Sequence, residues 1–148
     1  MSDFLTALTI SGSGLSAQRT RVTIAASNLA NAESTRGPDG QPYRRRDPVL
    51  AAASFDQALS SAGAQRPGEP SAAVGVEVAQ IVEDPTPGKR VYLPGHPDAD
   101  DDGFVTFPNV NPINETVNLM TASRGYEANA TAVDTLKTMA QRAVDISR

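Results

Sequence analysis

The chain is 148 residues long, 39% hydrophobic and only 5% aromatic, with no Trp, so it has material for one modest core rather than two. Its net charge of −4 disfavours general attraction to nucleic acid or to an anionic membrane surface. The absence of cysteine excludes disulfides, thiolate metal sites and a Cys nucleophile, and a single histidine, His96, offers little for a catalytic triad or a two-histidine metal site.

Residues 1–37 contain no proline and carry Leu8, Leu15, Val22 and Leu29 at a spacing of seven, with Phe4, Ala25 and Ala32 near the intervening positions of a heptad. This predicts a long coiled-coil helix, capped by Ser2 or Asp3 and stopped by Arg36-Gly37-Pro38. Gly12 and Gly14 each cost such a helix about 1 kcal/mol relative to Ala, so its first half is expected to be the weaker. The segment Met1–Leu8 lacks the basic and long apolar regions of a secretory leader, and no stretch approaches the ~18 apolar residues of a membrane span.

Residues 38–110 hold ten of the 11 prolines and the strand candidates. These are Pro42–Arg46, Val74–Val82, Arg90–Leu93 and Gly103–Phe107, the second alternating Val74, Val76 and Val78 with smaller or polar residues. Leu50–Leu59 reads equally as a short helix or a continued strand. The Ser/Ala/Gly/Pro-rich stretch near 60–71 reads as a flexible linker. The middle is therefore a small β/loop module.

Within that module, Asp98-Ala99-Asp100-Asp101-Asp102-Gly103 matches the start of an EF-hand loop. Position twelve is Asn109 where a bidentate Glu is required, and Pro94, Pro97 and Pro108 exclude flanking helices, so an acidic turn before a strand is the simpler reading. Arg44-Arg45-Arg46 reads as an edge-strand charge cluster or a contact to an acidic neighbouring subunit. His96, between Gly95 and Pro97, reads as a turn residue. Gly12-Ser13-Gly14 lacks the Gly-Lys-Ser/Thr of a phosphate loop. No enzyme emerges, and no cofactor or metal site is expected.

Residues 111–148 open with Asn111 as N-cap and Pro112 at the first helical position, followed by Glu115, which complements the helix dipole. Leu119, Ala122, Tyr126, Asn129, Val133, Leu136, Ala140 and Ala143 then follow a 4–3 rhythm, predicting a second coiled-coil helix. The fold class expected is mainly α with a small β-containing insertion, the two terminal helices pairing as an antiparallel coiled coil. Leu8, Leu15, Val22 and Leu29 would face Leu119, Tyr126, Val133 and Leu136. A two-helix pair leaves half of each surface in water while ordering each residue costs about 1–2 kcal/mol, so the termini are expected to fold on assembly with neighbours.

Two motifs at opposite ends point to a family. Ser13–Arg19 and the run Ser27-Asn28-Leu29-Ala30-Asn31, with Thr35 and Gly37 after it, resemble the N-terminal signature of bacterial flagellar basal-body rod and hook proteins. Asn114–Asn129, including Ser123, Arg124, Tyr126 and Asn129, resembles their C-terminal signature; Gly125 stands where Ser is common, and Gly12 where Ala is usual. The stretch His96–Val105, running on to Asn111-Pro112, is similar to the C-type subunits of the proximal rod. The resemblance implies a structural rod subunit that forms a helical tube and transmits torque from rotor to hook. It implies as partners other copies of itself, other rod subunits and the flagellar type III export apparatus, with export of an unfolded chain that needs no cleavable leader. Other readings are a different rod, hook or secretion-tube subunit, or a small Ca²⁺-binding adaptor using the acidic loop.

Overall fold

A computed structural model describes residues 2–54 and 73–146. The linker expected near 60–71 lies outside the described residues. The architecture is mainly helical with a small β insertion: two long helices, α1 (Ser2–Ala30) and α2 (Pro112–Ile146), enclose in sequence the strands β1 (Arg46–Ser54), β2 (Ala73–Glu83), β3 (Lys89–Tyr92) and β4 (Phe104–Phe107). β1 pairs with β2, and β3 pairs antiparallel with β4 with Val91 opposite Val105 and Tyr92 opposite Phe104.

Helix α1 stops at Ala30, earlier than the Gly37-Pro38 signal implies, because the chain's own side chains close it. Asn31 donates from its backbone N–H (3.1 Å) and from Nδ2 (2.8 Å) to the Ser27 carbonyl, and its Oδ1 accepts from the Ser34 hydroxyl. The Ala32 N–H turns back to Leu29, the tightened last turn of a terminating helix. Helix α2 starts as its sequence demands: Asn111 Oδ1 accepts the N–H groups of Ile113 (3.0 Å) and Asn114 (3.4 Å), and Pro112 has no N–H to satisfy. Along α2 the hydroxyls of Thr116, Thr121, Thr131, Thr135 and Thr138 each return to the carbonyl four residues earlier, so a Thr-rich helix leaves these polar groups paired.

The first strand lies later than Pro42–Arg46. The Tyr43 N–H goes to the Ser34 carbonyl and the Arg45 N–H to Asn109 Oδ1, so this stretch spends its donors outside any ladder, and pairing begins at Arg46. The ambiguous stretch after Leu50 is strand as far as Ser54. In β2 the expected alternation holds where Val76 and Val78 are half-buried around exposed Glu77.

The described residues form two compact units. One comprises residues 2–20, 49–54, 73–80 and 122–146; the other comprises residues 21–48 and 81–121. In the first unit Ala17 and Ala122 are buried, and two glycines each lie against a side chain of the other helix. A Cβ on Gly14 would stand 2.8 Å from Asn129 Oδ1, and one on Gly125 would stand 2.9 Å from Gln18 Cδ. Gly75, at φ +136°, lies against Ser13, whose Oγ accepts the Val76 N–H; a Cβ there would meet that oxygen. In the second unit the buried apolar residues are Ile24, Ala25 and Val105, and they share the interior with two polar side chains, Asn28 and Glu115.

Candidate functional site

Asn28 and Glu115 are each only 1% exposed, and a polar side chain so buried must find partners. Asn28 fills its whole capacity of two donors and two acceptor positions. Its Nδ2 donates to the Arg46 carbonyl (2.8 Å) and to Glu115 Oε2 (3.1 Å), while Oδ1 accepts from the Tyr43 hydroxyl (2.9 Å) and the Arg46 N–H (3.0 Å). Glu115 Oε1 takes the Arg45 Nε at 2.7 Å, and Arg45 also reaches Asp47 at 3.0 Å. Burial opposes the Arg45 charge, but its bonds to Glu115 and Asp47 outweigh that penalty and hold its pKa above the ordinary value. The Asn109 side chain presents Oδ1 to the Arg45 N–H and keeps its buried Nδ2 unpartnered.

This cluster joins the end of α1, the entry to β1, the segment before α2 and the first turn of α2. It corrects the reading of the arginine run at Arg45, which serves an internal carboxylate, whereas Arg46 at the start of β1 pairs with Glu83 at 3.1 Å as an exposed strand charge. Sequence reasoning placed Asn28 in a motif without a task, saw in Glu115 only a dipole partner, weighed Asn109 only as the wrong residue for an EF-hand loop, and gave Tyr43 no role beyond a strand candidate. The available signal was an Asn within an apolar heptad and a lone carboxylate in the first turns of α2.

Other motif residues do local work. Ser27 supplies the carbonyl that Asn31 closes, and its Oγ lies 3.4 Å from the Tyr43 hydroxyl. The Gly37 N–H is bonded to the Gln41 carbonyl in the turn that follows. Thr35 donates to Asp98 (2.7 Å), and Arg36 approaches the same carboxylate at 3.4 Å; the Thr35 bond first, then Arg36, holds Asp98 below the usual carboxylate range. Asn129 donates to the Gly125 carbonyl. Ala30, the last residue of α1, and Arg124 are exposed, while Ser123 is half-buried.

The acidic loop is the connection of the β3–β4 hairpin. Asp100 Oδ1 accepts the N–H groups of Phe104 (2.7 Å) and Asp102 (3.2 Å), and its other oxygen pairs with Arg90. The Phe104 N–H, then Arg90, lowers the Asp100 pKa. Gly103 takes φ +80° to close the turn, and Tyr92 packs edge-on against Phe104 at 5.3 Å. The Asp100 carboxylate is thus engaged by the hairpin itself, and among the described residues no group of three or more His, Asp or Glu side chains could hold a metal ion.

Of the heptad residues, Leu8, Leu15, Val133 and Leu136 in the first unit and Val22, Leu29 and Leu119 in the second are half-buried. Tyr126 is 42% exposed, and the residue lying against α1 at that turn is Gly125.

Comparison with known proteins accounts for both ends. The model of the family described as "Flagella basal body rod protein" matches residues 8–38, and that described as "Flagellar basal body rod FlgEFG protein C-terminal" matches residues 101–146. The flagellar basal-body rod protein FlgC of Escherichia coli O6:H1 is 47% identical over 130 residues, 88% of this chain and 87% of that protein. The chain belongs to the FlgC family of flagellar basal-body rod proteins. FlgC of Bacillus subtilis is 41% identical over 147 residues (95% of this chain, 96% of that one), and FlgC of Aquifex aeolicus 41% over 143 residues (96% of each). As a member of the FlgC family the chain is a structural subunit of the basal-body rod and not an enzyme. Among the described residues no helix is long and apolar enough to cross a membrane.

Proposed function

We propose that α1 and α2 pair as an antiparallel coiled coil and that subunits so paired stack with copies of themselves and with other rod subunits into the tubular proximal rod, carrying torque from rotor to hook. The seam runs through Leu8, Leu15, Val22 and Leu29 on one helix and Leu119, Tyr126, Val133 and Leu136 on the other. Residues 1–37 and 111–148 form the paired ends, and 38–110 the β/loop module between them. The chain reaches its site through the flagellar type III export apparatus in an unfolded state. A chain with no disulfide to break and, among the described residues, few buried large apolar side chains suits that route.

The observation that carries the reading is the large apolar surface the helices leave uncovered. Leu5 and Ile10 on α1, and Ile113, Val117, Met120, Met139 and Val144 on α2, are all exposed. Such a surface marks an assembly face rather than a finished monomer. Antiparallel pairing is supported by the order of contacts in the first unit, where Gly14 meets Asn129 and the later Gln18 meets the earlier Gly125. The test is Leu15→Asp and Leu136→Asp, each expected to abolish rod assembly and motility. Motility that survives Leu136→Asp defeats the coiled-coil assignment, and a cryo-EM map of isolated basal bodies locates the subunit directly.

A further inference from the structure

An apolar ladder with a period of seven specifies its partner poorly. Sliding one helix by seven residues past the other returns Leu8, Leu15, Val22 and Leu29 to equivalent positions, and the small residues around them tolerate the change as well. A buried polar cluster does not tolerate it. In the structure Asn28 meets Glu115 and the Arg46 backbone with all four hydrogen-bonding positions filled. With α2 displaced by one heptad, Asn28 faces Ala122 or the chain ahead of the helix, and Glu115 loses Asn28.

We propose that the Asn28–Glu115–Arg45 cluster is a register lock: it selects one alignment of the two terminal helices, and with it one shape of subunit, rather than supplying the bulk of their binding. The proposal rests on the antiparallel pairing proposed above. Its logic is that a buried ion pair gains little over well-packed apolar residues of similar volume, whereas a mismatched one is strongly penalised, so the cluster discriminates more than it stabilises. Three further connections fasten it to the backbone on both sides. The Arg46 N–H and carbonyl both bind Asn28, and the Arg45 N–H binds Asn109, two residues ahead of the N-cap of α2.

The chain has no cysteine, so pairs of introduced thiols report alignment without background. Gln18→Cys with Gly125→Cys reads the native register, since these residues touch, as does Ala25→Cys with Asn118→Cys, which line one cavity. Gln18→Cys with Asn118→Cys and Ala25→Cys with Gly125→Cys read the two alignments displaced by seven. Each pair is oxidised in the purified full-length chain and in isolated basal bodies, and intramolecular cross-links are scored by gel mobility. With the cluster intact, only the native pairs cross-link. In Asn28→Leu/Arg45→Met/Glu115→Leu the displaced pairs rise by at least about tenfold. In the milder Arg45→Met/Glu115→Leu, where Asn28 keeps its bonds to Tyr43 and Arg46, they rise less. Native cross-links alone in both variants overturn the lock and leave the pairing standing. Loss of every cross-link in both variants also overturns it, because the cluster is then a stabiliser. Absence of native cross-links with the cluster intact refutes the antiparallel pairing itself.

Discussion

Asn28→Asp is a change of one atom, and the structure gives it a large and pH-dependent effect. It removes the Nδ2 donor that serves Glu115 Oε2 at 3.1 Å and the Arg46 carbonyl at 2.8 Å, and sets a second carboxylate beside a buried one. Two unit charges at that separation repel by about 5 kcal/mol at an effective dielectric constant near 20, partly offset by Arg45. Asn28→Ala lacks the repulsion and costs less, about 2–4 kcal/mol, mostly from the unmet Glu115 oxygen and Arg46 backbone groups. At pH 7 the aspartate variant is therefore the more damaged of the two.

The order reverses in acid. Once one carboxyl takes up a proton it donates to the other and restores the bond to Glu115 but not the one to the Arg46 carbonyl, so Asn28→Asp recovers part of its loss on acidification, while Asn28→Ala does not. Adding Glu115→Gln to Asn28→Asp turns the donor round, with the Gln amide now donating to the aspartate, and recovers more than half of the loss at pH 7. Urea unfolding of the purified full-length chain at pH 7 and pH 5, followed by circular dichroism, measures the stabilities, and complementation of a rodless strain measures assembly. An aspartate variant as stable as the parent at pH 7, or one insensitive to acid, refutes the buried Asn28–Glu115 contact. Lack of coupling between the two substitutions in the double-mutant cycle refutes it independently.

Gly12→Ala, where a Cβ meets nothing within 4 Å, stabilises α1 by about 1 kcal/mol, whereas Gly14→Ala loses that gain against the Asn129 amide; thermal melts of the two variants separate the cases. Gly125→Val overpacks against Gln18 and costs about 1–3 kcal/mol, and Gln18→Ala in the same chain recovers most of it, read by the same melts. Asp98 and Asp100 have folded pKa values below the ordinary carboxylate value of ~3.9, so their contribution to the hairpin is complete above about pH 4 and is lost as pH falls through the lowered values. Amide hydrogen exchange at Phe104 and Asp102 is expected to accelerate over that acid range, and in Asp100→Ala to be fast already at neutral pH.

What could be read from the amino acids alone follows the range of the interactions concerned. Both helices were legible because proline exclusion and a seven-residue rhythm are local, and the start of α2 because Asn-Pro carries its own cap. The end of α1 was misread because Gly37-Pro38 is a strong stop signal, while the Asn31 side chain, which closes the helix six residues earlier, is an ordinary polar residue until its bond to Ser27 is seen. Strand β1 was displaced for a related reason. The donors of Tyr43 and Arg45 are taken by Ser34 and Asn109, one of them 64 positions away in sequence, and no propensity reports such a claim on a backbone N–H. The Asn28–Glu115 contact spans 87 positions and was invisible for that reason, although each of its members lies in one of the two terminal signatures.

On the proposed stacking, the same separation of roles holds a subunit among several neighbours and not beside a single one. Ile113, Val117 and Met120 are 75%, 57% and 52% exposed, and covering them fully would yield about 3–5 kcal/mol. Bringing two proteins together costs about 4–15 kcal/mol in lost freedom, so a single contact through these residues leaves a pair of subunits mostly apart. That cost falls once per incoming subunit, whereas the apolar gain recurs with every neighbour that touches it, so a subunit entering a stack with two or more such contacts binds where a dimer does not. Growth from an existing end is then favoured over free association in solution. The polar cluster at Asn28 adds little to that balance; its effect is to ensure that every subunit presents the same alignment of apolar side chains to the next, without which the contacts in a tube could not repeat.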